Sequence, residues 1–341
     1  REAEGQGTGE TRSGQQRTVH LMVENGRAAA LGAELKRVAR GMVIEGEPLA
    51  KRTAFGVGGP ADLMYLPESV DDLMSTLPLI KDAEVPILPI GGGTNMLVKD
   101  AGFRGVVIGL TEGMTGIVIE PDRGLIEAGA STQVFSRRCQ RDGRTGMEWG
   151  CGIPGTIGGA IRGNAGAWGG ETFDDLLWIR GIDLKTAHEM KLKKSEIRHG
   201  YRKAEIPKDY LVLEATFSLG QGDPLAIQAE MDRMLEERKM SQPVWLRNAG
   251  CVFKNPEGMS AGLLIDRSGC KGMAIGNVEV SDVHANFMVT KGGISAAEVL
   301  QLIERVRDQV RDREGVDLET EVRIVGEFGI DDGGSIRIAR R

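Results

Sequence analysis

The sequence contains no apolar run near the ~20 residues that a bilayer-spanning helix needs, and no hydrophobic signal core near its start. Its four cysteines, Cys139, Cys151, Cys251 and Cys270, show no CxxC spacing, and its four histidines, His20, His188, His199 and His284, are scattered. Neither set has the ligand spacing of a structural zinc site, so no metal is expected. A reduced, cytoplasmic protein is the expectation. Positive charge is not in excess either. The formal net charge of −6 argues against a dedicated nucleic-acid binder. No collagen-like or solenoid repeat accompanies the 49 glycines, so their abundance needs a local explanation.

What is present is enough chain for two or three domains, at 341 residues, with 40% hydrophobic and 27% charged residues to build real cores. Residues 1–27 read as a tail, because the first 18 are polar and nearly free of large apolar side chains. Leu31, Leu35 and Val38 then recur at helical spacing. A second helix fits 69–81, with Ser69 and Asp72 as a capping box. Strand-like runs follow at 85–90, 106–110, 116–120, 125–128, 176–184 and 210–219. Further helices are expected over 225–240 and 295–311, and a closing strand over 318–325 with Glu321 and Arg323 on one face. The mixture implies an α+β protein.

Two glycine-rich stretches carry the chemical signal. In Ile87-Leu-Pro-Ile-Gly-Gly-Gly-Thr-Asn95, three glycines follow a buried strand and let backbone N–H groups turn toward an anion. No Lys-Ser/Thr follows, which excludes a Walker loop, and the turn has no GxGxxG. Alone, such a segment is more often a plain turn than a phosphate contact. The stretch Gly150–Gly170 holds nine glycines, and no stable exposed helix or strand is expected there, since each glycine costs ~1 kcal/mol against alanine in a helix. Yet Ile153, Ile157, Ile161 and Trp168 within it are poorly suited to solvent. A packed, backbone-lined cofactor cleft explains both properties.

These stretches, IGGGTNMLV and GIPGTIGGAIRGNAGAWGGE, resemble those of the UDP-N-acetylenolpyruvoylglucosamine reductases. The likeness extends through Thr53–Asp62, Gly200-Tyr-Arg202, Asn248–Pro256, Ala261–Asp266, Val280–Val289 and Leu318–Arg323, in order, over about residues 45 to 330. The resemblance implies a two-lobed FAD-binding fold of the vanillyl-alcohol-oxidase type followed by a smaller α/β substrate domain. Lobe 1 would span 28–97 and be joined by the C-terminal strand of 318–341. Lobe 2 would span 98–222, and the substrate domain 223–317. The implied reaction is reduction of UDP-N-acetylglucosamine enolpyruvate to UDP-N-acetylmuramate in peptidoglycan precursor synthesis, in the bacterial cytoplasm. FAD would be bound non-covalently, with NADPH as reductant and without nucleic-acid or membrane partners.

On the same carry-over, Gly91, Gly92, Gly93, Thr94 and Asn95 would cradle the FAD pyrophosphate. Gly152, Gly155, Thr156, Gly158, Gly159, Asn164, Ala165 and Gly166 would line the isoalloxazine and its link to the ribityl chain. Arg202 and Glu321 stand at the charge-stabilising positions, and Cys251 stands at the proton-donor position, where most relatives carry Ser. Arg202 would fork onto a carboxylate, while a protonated Glu321 would hydrogen-bond the same developing oxyanion. Tyr201, Lys254 and Asn255 would contact substrate. An unperturbed thiol ionises near pH ~8.5, so Cys251 would set the basic limb of activity. The strand ending at Leu219 runs almost directly into the next helix, which matches a compact subclass without a Tyr-bearing insert.

Three other readings fit parts of the sequence. An FAD-dependent alcohol or sugar oxidase of the same superfamily would tether its flavin, with Cys151 the available residue. A nucleotide-sugar binding module would not turn over. A thiol hydrolase pairing Cys251 with His284 would need no flavin, whereas His284 reads more simply as structural.

Overall fold

The computed structural model describes residues 26–327 and 329–331. The expected tail lies outside the described residues up to residue 25, whereas Gly26 and Arg27 already open the first helix, 26–38. Ala28, Leu31 and Leu35 turn inward, but Val38 is 51% exposed because the helix ends there and its last turn clears the core. The helix Val70–Asp82 starts at Ser69, whose Oγ accepts the Asp72 N–H. The reciprocal half of the expected capping box does not form. Asp72 instead accepts from the backbone N–H groups of Arg40, Gly41 and Glu68, fastening the end of the first helix to the start of the second. Burial opposes ionisation of Asp72, and its hydrogen bonds outweigh burial, so its carboxyl sits below the usual range.

The first sheet has the strand order Met42–Glu45, Ala61–Leu66, Phe103–Gly109, Ile87–Ile90. The last three are mutually parallel, with the helix Val70–Asp82 supplying the crossover. Phe103–Gly109 occupies the interior of this sheet, so the passage to the second sheet falls after Gly109 rather than between residues 97 and 98. The short strand Met96–Val98 pairs in parallel with Arg323–Gly326, which brings the C-terminal segment back beside the glycine turn. That strand is shorter than expected. Thr320 makes a single bridge to Phe253, and Glu321 precedes the strand.

The second sheet is antiparallel, in the order Glu189–Lys193, Leu176–Asp183, Tyr210–Ser218, Arg123–Glu127, Ile117–Ile119. A third unit packs the helices Ala261–Arg267 and Ala296–Glu314 on the three-stranded sheet Ala274–Ile275, Val278–Val280, Met288–Thr290. Ser295 and Glu298 form a full capping box at the start of the long helix. Val299, Leu300, Ile303, Val306 and Val310 are all buried, each contributing ~1.5–3 kcal/mol on removal from water. The helix Pro224–Ser241 does not join that core. Ile227, Met231 and Met234 pack with Cys151 and Trp168 instead, so the third unit begins after this helix rather than at residue 223.

Candidate functional site

The turn after Ile87–Ile90 faces the segment Pro154–Thr156 backbone to backbone. A Cβ on Gly91 would lie 2.2 Å from Thr156 Oγ1, and one on Gly92 would lie 3.2 Å from Gly155 Cα. Gly93 has φ +60°, and a Cβ there would strike the Arg52 carbonyl oxygen at 1.8 Å. Thr94 Oγ1 donates to the Pro154 carbonyl at 3.2 Å, closing the contact. Side chains at these positions would collide with Thr156, Gly155 and the Arg52 carbonyl, so the glycines are what lets the turn pack main chain to main chain against this segment.

The stretch Gly150–Gly170 is not irregular throughout. It holds a 3-10 turn, Glu148–Gly152, the helix Ile157–Gly163 and the hairpin Gly166–Ala167/Gly170–Glu171. The helix survives its glycines because it is packed and capped. Thr156 Oγ1 accepts the Gly159 N–H, Ile157 and Ile161 are buried, and Gly158 lets the helix close on Ala128, where a Cβ would stand 3.0 Å from the Ala128 Cβ. Gly150, Gly152 and Gly155 do spell G-x-G-x-x-G, but they leave a 3-10 turn rather than a parallel strand, so the Rossmann context is missing. The helix ends at Asn164 in the left-handed region, φ 42°. The Asn164 side chain donates to the Gly200 carbonyl at 3.0 Å and accepts from Phe173 N–H at 3.2 Å.

Asn164 thereby holds a two-residue hairpin loop, Tyr201-Arg202, between His199–Gly200 and Lys203–Ala204. Arg202 takes φ 53°, a conformation that costs a non-glycine residue ~1–2 kcal/mol and is kept where the surroundings enforce it. Its Nη2 donates to the Gly166 carbonyl at 2.8 Å, and its Nε lies 2.9 Å from Glu321 Oε1. The Nε–Nη2 edge of the guanidinium is therefore engaged in this state.

Glu321 reaches Arg202 through contacts from two other regions. Its N–H donates to the Val252 carbonyl at 2.8 Å, and its carbonyl accepts from Asn95 Nδ2 at 3.1 Å. Asn95, expected at the FAD pyrophosphate, thus also fixes the acid. Cys251 precedes Val252 and bridges to Phe287. The neighbouring Phe253 is clamped on both sides by the buried Asn286, which accepts its N–H at 2.9 Å and donates to its carbonyl at 2.8 Å. Three separated stretches of chain, around 202, 251 and 321, therefore converge.

Burial pushes Glu321 up, and Arg202 and Lys254 oppose it, leaving the carboxyl above its ordinary value. Burial, then the Glu321 charge, pushes the Cys251 thiol up to about 12, against Arg202 and Arg238. The expectation of ionisation near pH ~8.5 is corrected: desolvation keeps this thiol protonated across the working range. Lys254 pairs with Glu319, and Asn255 Oδ1 accepts from Ala261 N–H at 2.9 Å at the start of a helix. Tyr201 stands 50% exposed, its ring 5.0 Å from the Arg202 guanidinium carbon. His284 Nδ1 accepts from Asn286 N–H at 3.2 Å, a bracing contact. Cys151 is fully buried, with its thiol directed at the Met231 carbonyl.

Asn286 and Arg238 carry no role in the sequence reading. Arg238 had a legible signal, since it falls on the same helical face as Met231 and Met234. Asn286 had none beyond its place in the matched Val280–Val289 segment. Among the described residues, no cluster of His, Cys, Asp or Glu fits a metal, and no helix is long and apolar enough to cross a membrane.

Two sheets, a glycine turn packed against Pro154–Thr156, and a third unit that brings a thiol toward an Arg–Glu pair accompany a match to an FAD-binding domain, and together mark a flavin-dependent oxidoreductase. Residues 61–187 match the FAD binding domain, and residues 242–325 match the C-terminal domain of UDP-N-acetylenolpyruvoylglucosamine reductase. The UDP-N-acetylenolpyruvoylglucosamine reductase of Geotalea uraniireducens is 43% identical over 84% of this chain and 95% of its own. That of Geobacter metallireducens is 40% identical over 87% of this chain and 98% of its own. The crystal structure of the Thermus caldophilus UDP-N-acetylenolpyruvylglucosamine reductase superposes with TM-score 0.71 at 32% identity, covering 84% of this chain and 98% of that one. The chain belongs to the UDP-N-acetylenolpyruvoylglucosamine reductase family. It is an enzyme and binds FAD.

Proposed function

We propose that Arg202, Glu321 and Cys251 carry the substrate half of an NADPH-dependent reduction of UDP-N-acetylglucosamine enolpyruvate to UDP-N-acetylmuramate. FAD, when bound, would supply the hydride that the outer alkene carbon takes up, with NADPH as the reductant. Negative charge then develops on the inner carbon and spreads into its carboxylate. Arg202 lies beside Glu321 at the Gly166 carbonyl, where it lowers the energy of that charge. Glu321, its pKa raised by burial, supplies a hydrogen bond to the same oxygens when protonated. Cys251 keeps its proton at working pH and transfers it to the inner carbon as the charge collapses.

The observation that carries this reading is the convergence of Arg202, Glu321 and the Cys251 segment from three distant parts of the chain. Gly91–Asn95 would hold the FAD diphosphate and the stretch from Gly152 to Gly166 the ring, since both approach through main chain. Tyr201, Lys254 and Asn255 belong to the substrate side. A soluble nucleotide-sugar substrate and NADPH suit the bacterial cytoplasm, and four free cysteines suit its reducing conditions.

The test is anaerobic. NADPH should bleach the bound flavin, and UDP-N-acetylglucosamine enolpyruvate should then restore its colour with stoichiometric UDP-N-acetylmuramate. Flavin that stays bleached after substrate is added would contradict the assignment.

A further inference from the structure

One charged side chain next to this site is used by nothing described above. Arg238 lies four residues beyond Met234, on the packed face of the helix Pro224–Ser241. A Cβ placed on Gly152 would lie 3.4 Å from Arg238 Nη1 and 2.5 Å from the Trp168 ring, so the guanidinium stands over the glycine segment rather than in water. The helix is pinned around it. Trp168 Nε1 donates to Glu237 Oε2 at 3.1 Å, and the Cys151 thiol contacts the Met231 carbonyl.

Among the described residues, no carboxylate pairs with Arg238. The ionisable groups that act on it electrostatically are the thiols of Cys251 and Cys151. Burial depresses its pKa, as expected of a cation partly removed from water without a counter-ion. Such a cation is costly unless an anion completes it. By contrast, Arg202 is engaged on one edge by Glu321 and Gly166.

We propose that Arg238 binds the carboxylate of the enolpyruvyl unit, as the second cation of the site. The inference rests on the assignment of Cys251 as proton donor. The carbon that Cys251 protonates bears the carboxylate, so that anion lies one bond from the atom facing the thiol, and Arg238, standing over Gly152, is within electrostatic range of the same thiol. The planar guanidinium suits a planar two-oxygen acceptor.

The test uses oxidised holoenzyme and two ligands that differ in this group, with flavin absorbance reporting binding. UDP-N-acetylmuramate carries the carboxylate and UDP-N-acetylglucosamine lacks it. Arg238→Gln should weaken UDP-N-acetylmuramate roughly tenfold to hundredfold, the range of one charged hydrogen-bonded contact, and leave UDP-N-acetylglucosamine unchanged. Arg238→Lys, which preserves the charge, should recover part of the loss. Equal weakening of both ligands would move Arg238 to the diphosphate and overturn the proposal. Unchanged affinities with a lower flavin midpoint potential would assign it to the flavin and overturn it equally. A parent protein that binds neither ligand would remove the family reaction itself, a failure distinct from either of these.

Discussion

Arg202 Nε lies 2.9 Å from Glu321 Oε1 although 119 positions separate the two residues along the chain, and both side chains are mostly shielded from water. The pair is held from both ends. Asn164 and Gly166 fix the hairpin that carries Arg202, and Val252 and Asn95 fix the backbone of Glu321. Arg202→Lys keeps the charge but loses the planar set of donors. Turnover should fall by about 3–4 kcal/mol of transition-state stabilisation, while reduction of the flavin by NADPH stays near the parent rate. Steady-state turnover compared with anaerobic flavin reduction checks this, and near-normal turnover would remove Arg202 from the chemistry.

The glycine turn makes a graded prediction. A Cβ on Gly92 would crowd Gly155 Cα at 3.2 Å and need a small shift, whereas valine would force the two segments well apart. Gly92→Val should therefore purify with little FAD, read as flavin absorbance per protein. Gly93→Ala should be the more destabilising change, by about 2–4 kcal/mol, because the new Cβ meets a backbone oxygen at a positive φ. Thermal melting of the two apoproteins separates these effects.

Burial holds the Cys251 thiol at about 12, which fixes the direction of its pH dependence. The proton-donating form is the thiol, so activity that depends on it is lost only as pH rises toward 12. Below that the donor stays loaded. Cys251→Ser should keep substantial activity and leave the alkaline side of the pH profile unmoved between pH ~7 and ~10. A fall near pH ~8.5 in the parent that disappears in the Ser variant would show an unshifted thiol.

Asn286 positions Cys251 through Phe253 without touching the reacting groups. Asn286→Ala leaves a buried N–H and a buried carbonyl unpaired and should cost about 2–4 kcal/mol in stability. Asn286→Asp keeps the acceptor and loses the donor, so it should recover part of that loss. Both variants should lower kcat more than they raise KM, since the substrate contacts remain. Chemical denaturation with parallel kinetics checks the split.

Much of this architecture was readable from residue patterns. The periodicity of Val299, Leu300, Ile303, Val306 and Val310 and the Ser295–Glu298 box place the start of the long helix within a residue, while it runs three residues past the expected end, to Glu314. Apolar residues among the glycines of 150–170 indicated a packed cleft. That a helix forms there was not legible, because local propensity argues against it and only the contact with Ala128 and the Thr156 cap reverse the balance. The Arg202–Glu321 pair was suggested by resemblance to a family, since spacing alone cannot bring such distant residues together. The thiol pKa was invisible for the same reason: it depends on what surrounds Cys251 in three dimensions rather than in sequence. Arg238 is visible in the sequence as a charge on an apolar helical face, but its spacing does not show that the face packs against the glycine segment.

The most direct test of the account separates the two half-reactions of Cys251→Ala in a stopped-flow instrument. NADPH should bleach its flavin at the parent rate, because hydride reaches the cofactor before any substrate proton is needed. Reoxidation by UDP-N-acetylglucosamine enolpyruvate should then slow by roughly a hundredfold or more, the weight of one positioned proton donor. Reoxidation at the parent rate would contradict the account and return Cys251 to a packing residue.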